Sequence, residues 1–218
     1  MTDFLWTRPD GEAPAVATLL LAHGAGAAMD SGFMNRFAGH AAAAGLDVAR
    51  FEFAYMAGRR AGGPKRPPPK AELLVGEFQK ALQQVLGETS GPVLIGGKSM
   101  GGRVAAMLAA SSSLPRRVTG VACLGYPFHP QGRTDTWRLA PLEASRRPVL
   151  IAQGERDAFG NAAELEDVML PDQARLVWLE DGSHDLAPRG ASPATWEGNL
   201  TRTAQAVADF AHETGETA

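Results

Sequence analysis

A single serine stands between glycines in Gly97-Lys98-Ser99-Met100-Gly101. Before it, Val93-Leu94-Ile95 reads as a buried strand; after it, Val104, Met107 and Leu108 recur at helical spacing. Gly-x-Ser-x-Gly between a strand and a helix is a setting for nucleophilic attack on an acyl carbon. The turn is tight enough to strain the serine backbone, and Gly97 and Gly101 remove side chains that would collide with strand and helix. The new helix aims its first free N–H groups at the point where negative charge develops. The pattern alone is weak, since about one sequence of this composition in ten holds it by chance.

A serine nucleophile needs a base to take its proton and an acid to fix the tautomer of that base. His184 follows the strand predicted at Leu176 to Leu179, and Asp157 follows the strand predicted at Val149 to Ala152. Asp157 competes with Glu155, which is nearer its strand, and with Asp181 and Asp185, which flank the histidine closely in sequence. One oxyanion donor is the backbone N–H of Met100. The second is expected from the loop His23-Gly24-Ala25-Gly26, with Ala25 ahead of Gly26. Gly24, Gly26, Tyr55, Tyr126, Phe128 and His129 are the residues expected around the substrate cleft, although a structural role suits His129 equally well. His23 is expected to brace its loop by hydrogen bonding to backbone. His40 and His212 fall on helices as surface residues, and Cys123, inside a strand, reads as a buried apolar residue.

These residues must be held by a larger frame. Val16 to Ala22 is a near-continuous apolar run, as a strand covered on both faces requires. A short edge strand is expected around Phe4–Trp6, and further strands at Val48 to Phe53 and Val118 to Leu124. Helical periodicity marks residues 31–44, a stretch carrying Leu74, Phe78, Ala81 and Val85, a helix from Ser99 to about residues 111–113, one from Asn161 to before Pro171, and a closing helix carrying Trp196, Leu200, Val207 and Phe210. One helical turn is expected near Trp137–Leu142. Residues 55–70 hold five basic residues, three glycines and four prolines and read as a basic, proline-rich loop. Residues 126–147 read as a small cap-like segment. Strands alternating with helices give an α/β fold: a doubly wound, mainly parallel sheet of about six to seven strands, with helices on both faces and no large lid. One domain is expected over 1–218, with the reactive residues at the carboxyl ends of its strands.

The 218 residues are 44% hydrophobic, enough for a substantial core, and carry 21 Lys+Arg against 24 Asp+Glu. A net charge of -3 argues against a general nucleic-acid binder. One cysteine excludes an internal disulfide framework and fits a reducing compartment. The N-terminal residues lack a basic stretch leading into an apolar one, so no signal peptide is expected and a cytoplasmic location is.

The order Ser99, Asp157, His184 is that of α/β-hydrolases. Leu-Ala-His-Gly-Ala-Gly, Gly-Lys-Ser-Met-Gly-Gly-Arg, Leu-Gly-Tyr-Pro-Phe-His-Pro, Gln-Gly-Glu-Arg-Asp and Asp-Gly-Ser-His-Asp together span nearly the whole chain. On these motifs the chain resembles the dienelactone-hydrolase-like branch of the α/β-hydrolases. Within it, the chain is most similar to small bacterial hydrolases related to eukaryotic testis-expressed and chromatin-complex-subunit proteins. Dienelactone hydrolases proper use a cysteine nucleophile; Ser99 stands here, so their substrate does not carry over. The resemblance implies a serine hydrolase of a small ester or thioester, without metal or organic cofactor and without a membrane or nucleic-acid partner, as a monomer or homodimer. A peptidase or amidase with the same triad is one alternative. A non-catalytic interaction module on the same fold is another.

Overall fold

The apolar runs form the inner strands of one seven-stranded sheet, seen in a computed structural model that describes residues 2–11 and 13–216. The outermost positions of the span 1–218 lie outside the described residues. The strands are β1 (Leu5–Thr7), β2 (Ala17–Ala22), β3 (Leu46–Phe51), β4 (Val93–Lys98), β5 (Val118–Leu124), β6 (Val149–Gly154) and β7 (Ala174–Leu179). Their spatial order is β1-β3-β2-β4-β5-β6-β7; only β1 runs antiparallel, pairing Leu5 with Arg50 and Thr7 with Val48. β2, β4, β5 and β6 are buried along their whole length, as helices on both faces demand.

Alternation along the strands separates two cores. Leu20, Ala22, Ile95 and Val121 join one cluster with Leu74 and Phe78 of α3 (Ala71–Glu88) and Val104 and Leu108 of α4 (Met100–Leu108). Leu19, Leu21, Leu94 and Ala122 join the other with Phe33 and Phe37 of α1 (Gly32–Ala43) and Val207 and Phe210 of α7 (Trp196–Glu216). From β2 the chain moves outward to β3, then returns to place β4 on the other side of β2. Winding therefore reverses between β2 and β4, and a crevice opens at the carboxyl ends of these two strands. The loop 23–26 and Ser99 flank that crevice.

Three segments differ from expectation. Residues 55–70 are not a loop throughout: Ala54–Arg60 forms a helix, α2, before a turn at Ala61 and Gly62 and an irregular stretch up to Lys70. No proline falls before residue 64, and Arg59 and Arg60 occupy the last turn, where cations favour a helix end. Residues 126–147, expected as a cap, send Tyr126, Phe128 and Leu142 into the core cluster that includes α4. The one helical turn expected near Trp137–Leu142 forms there as α5 (Ala140–Glu143). The helix expected from Asn161 is likewise a single turn, α6 (Ala162–Leu165), started by an Asn161–Glu164 capping box. Among the described residues, no helix is long and apolar enough to cross a membrane.

Phe78 is fully buried, with its ring 5.0 Å from that of Phe51 and 6.4 Å from that of Phe53. Phe78→Ala is expected to lower stability by about 3–5 kcal/mol, read as a fall in the urea midpoint at unchanged slope.

Candidate active site

β4 ends at Lys98 and α4 begins at Met100, so the whole change of direction falls on Ser99. Its backbone lies at φ 51° and ψ -116°. Such a conformation costs of order 1–3 kcal/mol for a residue bearing a side chain, and persists only where neighbours impose it. Here the Ser99 N–H donates to the Leu124 carbonyl at 2.9 Å, and the Ser99 carbonyl accepts from the Arg103 N–H at 3.1 Å. The turn presses α4 against the sheet. A Cβ on Gly97 would stand 2.5 Å from the Gly101 carbonyl carbon, and one on Gly101 would stand 2.7 Å from the carbonyl oxygens of Ala22 and His23. Any side chain at either glycine would push the helix away.

β6 leads to Asp157 and β7 to His184. Asp157 is fully buried. It accepts from Gln153 Nε2 at 3.0 Å and from the Phe159 N–H at 2.9 Å. His184 Nδ1 stands 2.8 Å from Oδ2 and 3.0 Å from Oδ1 of the same carboxylate. An ionised carboxylate only accepts, so Nδ1 carries the proton, and in the neutral ring Nε2 keeps its lone pair. The imidazole rests against Phe159, with ring centroids 4.4 Å apart. The rival acids are engaged elsewhere. Glu155 accepts from the Asp181 N–H at 2.8 Å, Asp181 is gripped by Arg156 and Arg189, and Asp185 faces Lys98.

Ser99 and His184 meet the same end of β5. Ser99 bonds to Leu124, and a Cβ on Gly125 would lie 2.8 Å from the His184 carbonyl oxygen. No hydrogen bond joins the Ser99 hydroxyl to His184 among the described residues.

The loop after β2 lies over the serine turn, with the Cβ position of Gly24 3.7 Å from Ser99 Cβ. His23 is fully buried and accepts from the Phe53 N–H through Nε2 at 3.2 Å. Its Nδ1 therefore bears the hydrogen and donates to the Gly24 carbonyl at 2.6 Å. Burial holds the His23 pKa below the ordinary imidazole value, consistent with this neutral form. The Tyr55 hydroxyl donates to the Ala25 carbonyl at 2.9 Å, and burial pushes its pKa up to about 12. In a trans peptide the N–H points opposite to the C=O. With both carbonyls drawn inward, the N–H groups of Ala25 and Gly26 point away from His23 and Tyr55.

The cleft residues divide. Gly24 lies at Ser99, and Gly26 lines a pocket of about 260 Å³ with Ala28, Asp30, Met56, Arg59 and Arg60. Tyr55 braces the loop. Tyr126 and Phe128 are fully buried, their rings 5.0 Å apart, with the Tyr126 hydroxyl donating to the Arg138 carbonyl; this corrects their placement at the cleft. The chain after β5 turns them inward because Gly125, at φ 63°, reverses its direction. His129 is also buried, held by the Pro130 carbonyl and the Glu164 carboxylate. His40 ties α1 to α7 through Glu197 and Thr201, while His212 is exposed on α7. Cys123 is buried, and burial alone pushes its thiol pKa up. A larger pocket, about 680 Å³, opens on Thr2, Glu77 and Lys80 and contains none of Ser99, Asp157 or His184.

Sequence reasoning missed Gln153 and Phe159. Gln153 is fully buried and spreads its amide over Tyr126, Asp157 and Gly160. Its one available signal was a polar residue closing an apolar strand.

A turn-strained serine, a histidine–carboxylate pair and a glycine loop thus lie at the carboxyl ends of the strands of an open, mainly parallel sheet. The chain belongs to the alpha/beta hydrolase domain family, which it matches over residues 15–212. Among solved structures, it resembles an alpha-beta serine hydrolase homologue from Coxiella burnetii at 18% identity and TM-score 0.64, covering 97% of this chain and 90% of that one. A serine hydrolase without lid from Xanthomonas campestris aligns at 16% identity and TM-score 0.65, covering 94% and 89%. A dienelactone hydrolase from Anabaena variabilis aligns at 23% identity and TM-score 0.66, covering 96% and 90%. No curated protein sequence matches the chain significantly.

The loop carrying His184 is anchored by Asp181, itself at φ 48°. Hydrogen bonds from the Arg189 side chain and backbone, helped by Arg156, hold the Asp181 pKa down at about 2. A carboxyl whose pKa is depressed on folding stabilises above its ordinary value, and the contribution fades as pH falls through the folded value. Asp181→Asn is therefore expected to lower the urea midpoint at neutral pH. The gap from wild type is expected to close as pH falls from about 4 toward 2.

Proposed function

We propose that this chain is a serine hydrolase that cleaves a small ester or thioester through an acyl-enzyme intermediate. The observation that carries the proposal is the buried Asp157 carboxylate bound to His184 Nδ1, at the end of the strand bundle where Ser99 is forced into its turn. His184 Nε2 takes the Ser99 proton as Oγ bonds to the acyl carbon. The C–O or C–S bond to the leaving group then breaks, and the imidazolium returns the proton to that group. Water attacks the acyl-enzyme next, His184 again taking and returning a proton, and the acid leaves with Ser99 restored. Asp157 orients the ring and stabilises the imidazolium throughout.

The oxyanion rests on the N–H of Met100, free at the start of α4, and that of Ala25, with Gly26 as the other donor the loop offers. The carbonyl ties to His23 and Tyr55 support this orientation. Partial exposure of His184 gives water a route to the acyl-enzyme. The hydrolases among its structural neighbours favour the same chemistry.

A fluorophosphonate probe is expected to label the wild-type protein on Ser99, with the site read by peptide mass spectrometry. Ser99→Ala should abolish labelling and lower ester turnover by about 10³-fold or more while the circular dichroism spectrum stays the same. The labelling rate should fall on the acid side as His184 becomes protonated. Labelling that survives in Ser99→Ala, or folded wild type that never labels, would refute the proposal.

A further inference from the structure

The reaction above leaves Lys98 without a task, although it sits inside the serine turn. Its side chain is only 7% exposed, and its ammonium lies 5.4 Å from the centre of the Phe33 ring. Buried lysines are rare because the charge loses its water, so one is retained where something nearby compensates it. The compensating group is Asp185, with Oδ1 3.3 Å from Nζ and a side chain 62% exposed. Lys98 is peptide-bonded to Ser99, and Asp185 to His184. The pair thus bridges the immediate neighbours of the proposed nucleophile and base.

We propose that the Lys98–Asp185 ion pair positions the His184 loop over the serine turn, and that the Lys98 charge sets the pH range in which His184 can accept a proton. This inference rests on the reading of Ser99 and His184 as nucleophile and base. The loop needs such a tie, because Asp181 and Leu186 on either side of His184 both hold positive φ values, 48° and 60°. The charge lies close enough to act. A Cβ on Gly125 would stand 3.3 Å from Lys98 Nζ and 3.3 Å from His184 Nδ1, so these nitrogens are no farther apart than twice that distance. Among the described residues, the charged groups near the imidazole are Asp157 from the loop after β6, bound to Nδ1, Lys98 from β4, and Asp185, next to His184 in the chain and paired with Lys98; Phe159 and Gly125 add none. The two carboxylates favour imidazolium, and the ammonium opposes it. Burial lowers the Lys98 pKa, while Asp185 and Asp157 counter that effect. Lys98 is a positioning residue in this scheme, acting through His184.

The test measures fluorophosphonate labelling rate against pH for wild type, Lys98→Met, Asp185→Asn and the double variant. Methionine keeps the apolar stem and removes the charge. The acid-side midpoint of Lys98→Met is expected to move up by roughly 0.5–1.5 pH units, because a nearby cation no longer resists protonation of His184. Asp185→Asn is expected to lower the plateau rate at least about threefold by loosening the loop. The double variant should fall no further than Lys98→Met, since both changes break one tie. A role in folding alone would shift thermal stability and leave the midpoint in place. A midpoint for Lys98→Met within about 0.2 pH units of wild type, or additive plateau losses, would overturn the inference. If Lys98→Met does not fold, Asp185→Asn, altered at an exposed side chain, decides alone: an unchanged plateau rate overturns it. Unlabelled wild type would sink the serine hydrolase reading together with this inference. Labelled wild type with indifferent variants sinks only the inference.

Discussion

The close approach of α4 to β2 and β4 is the constraint on which the rest of the site depends. Hydrogen bonding to Leu124 on one side and Arg103 on the other holds the serine turn, and only glycine fits at residues 97 and 101. A strained backbone of this kind must be over-determined by its surroundings, and the two packed cores supply the rigidity. The strain keeps the Ser99 side chain at the strand ends, where loops from β2, β5, β6 and β7 converge. A relaxed turn would fold that side chain into the helix.

Around this turn, buried polar groups fix the loops by consuming one another's hydrogen-bonding capacity. His23 and Tyr55 each take a carbonyl of the loop after β2. Gln153 joins Tyr126, Asp157 and Gly160. Glu155 and Asp181 connect the loops after β6 and β7. A buried donor or acceptor left unpaired costs about 1–3 kcal/mol, so each of these bonds resists loop movement. The proposed catalytic groups are thereby held before any substrate arrives.

Much of this was legible in residue order. Val118–Leu124 was readable as a strand because all its residues are apolar or small, and it is buried end to end. Asp157 was preferred over Glu155 because it matches the position the α/β-hydrolase resemblance implies, and the structure sets its carboxylate against His184 Nδ1. Other features were illegible for physical reasons. Glycines and prolines in 55–70 concealed the helical turns of α2, because a composition average gives no weight to where the first proline falls. Tyr126 and Phe128 looked like cleft residues because they follow a strand, but a left-handed glycine at residue 125 turns them into the core.

The sequence by itself determined the alternation of strands and helices, the serine turn and the placing of Ser99, Asp157 and His184 just past successive strand ends. Those features are local: apolar periodicity, glycine placement and distance from a strand end all act within a few residues. Only the tertiary structure decided which face each strand end presents, that Gln153 and Phe159 contact Asp157 and His184, and that Lys98 meets Asp185. Those contacts join residues separated along the chain but set side by side by parallel strands. Their existence depends on strand order and register, and a linear pattern of residue types does not encode which loops will become neighbours.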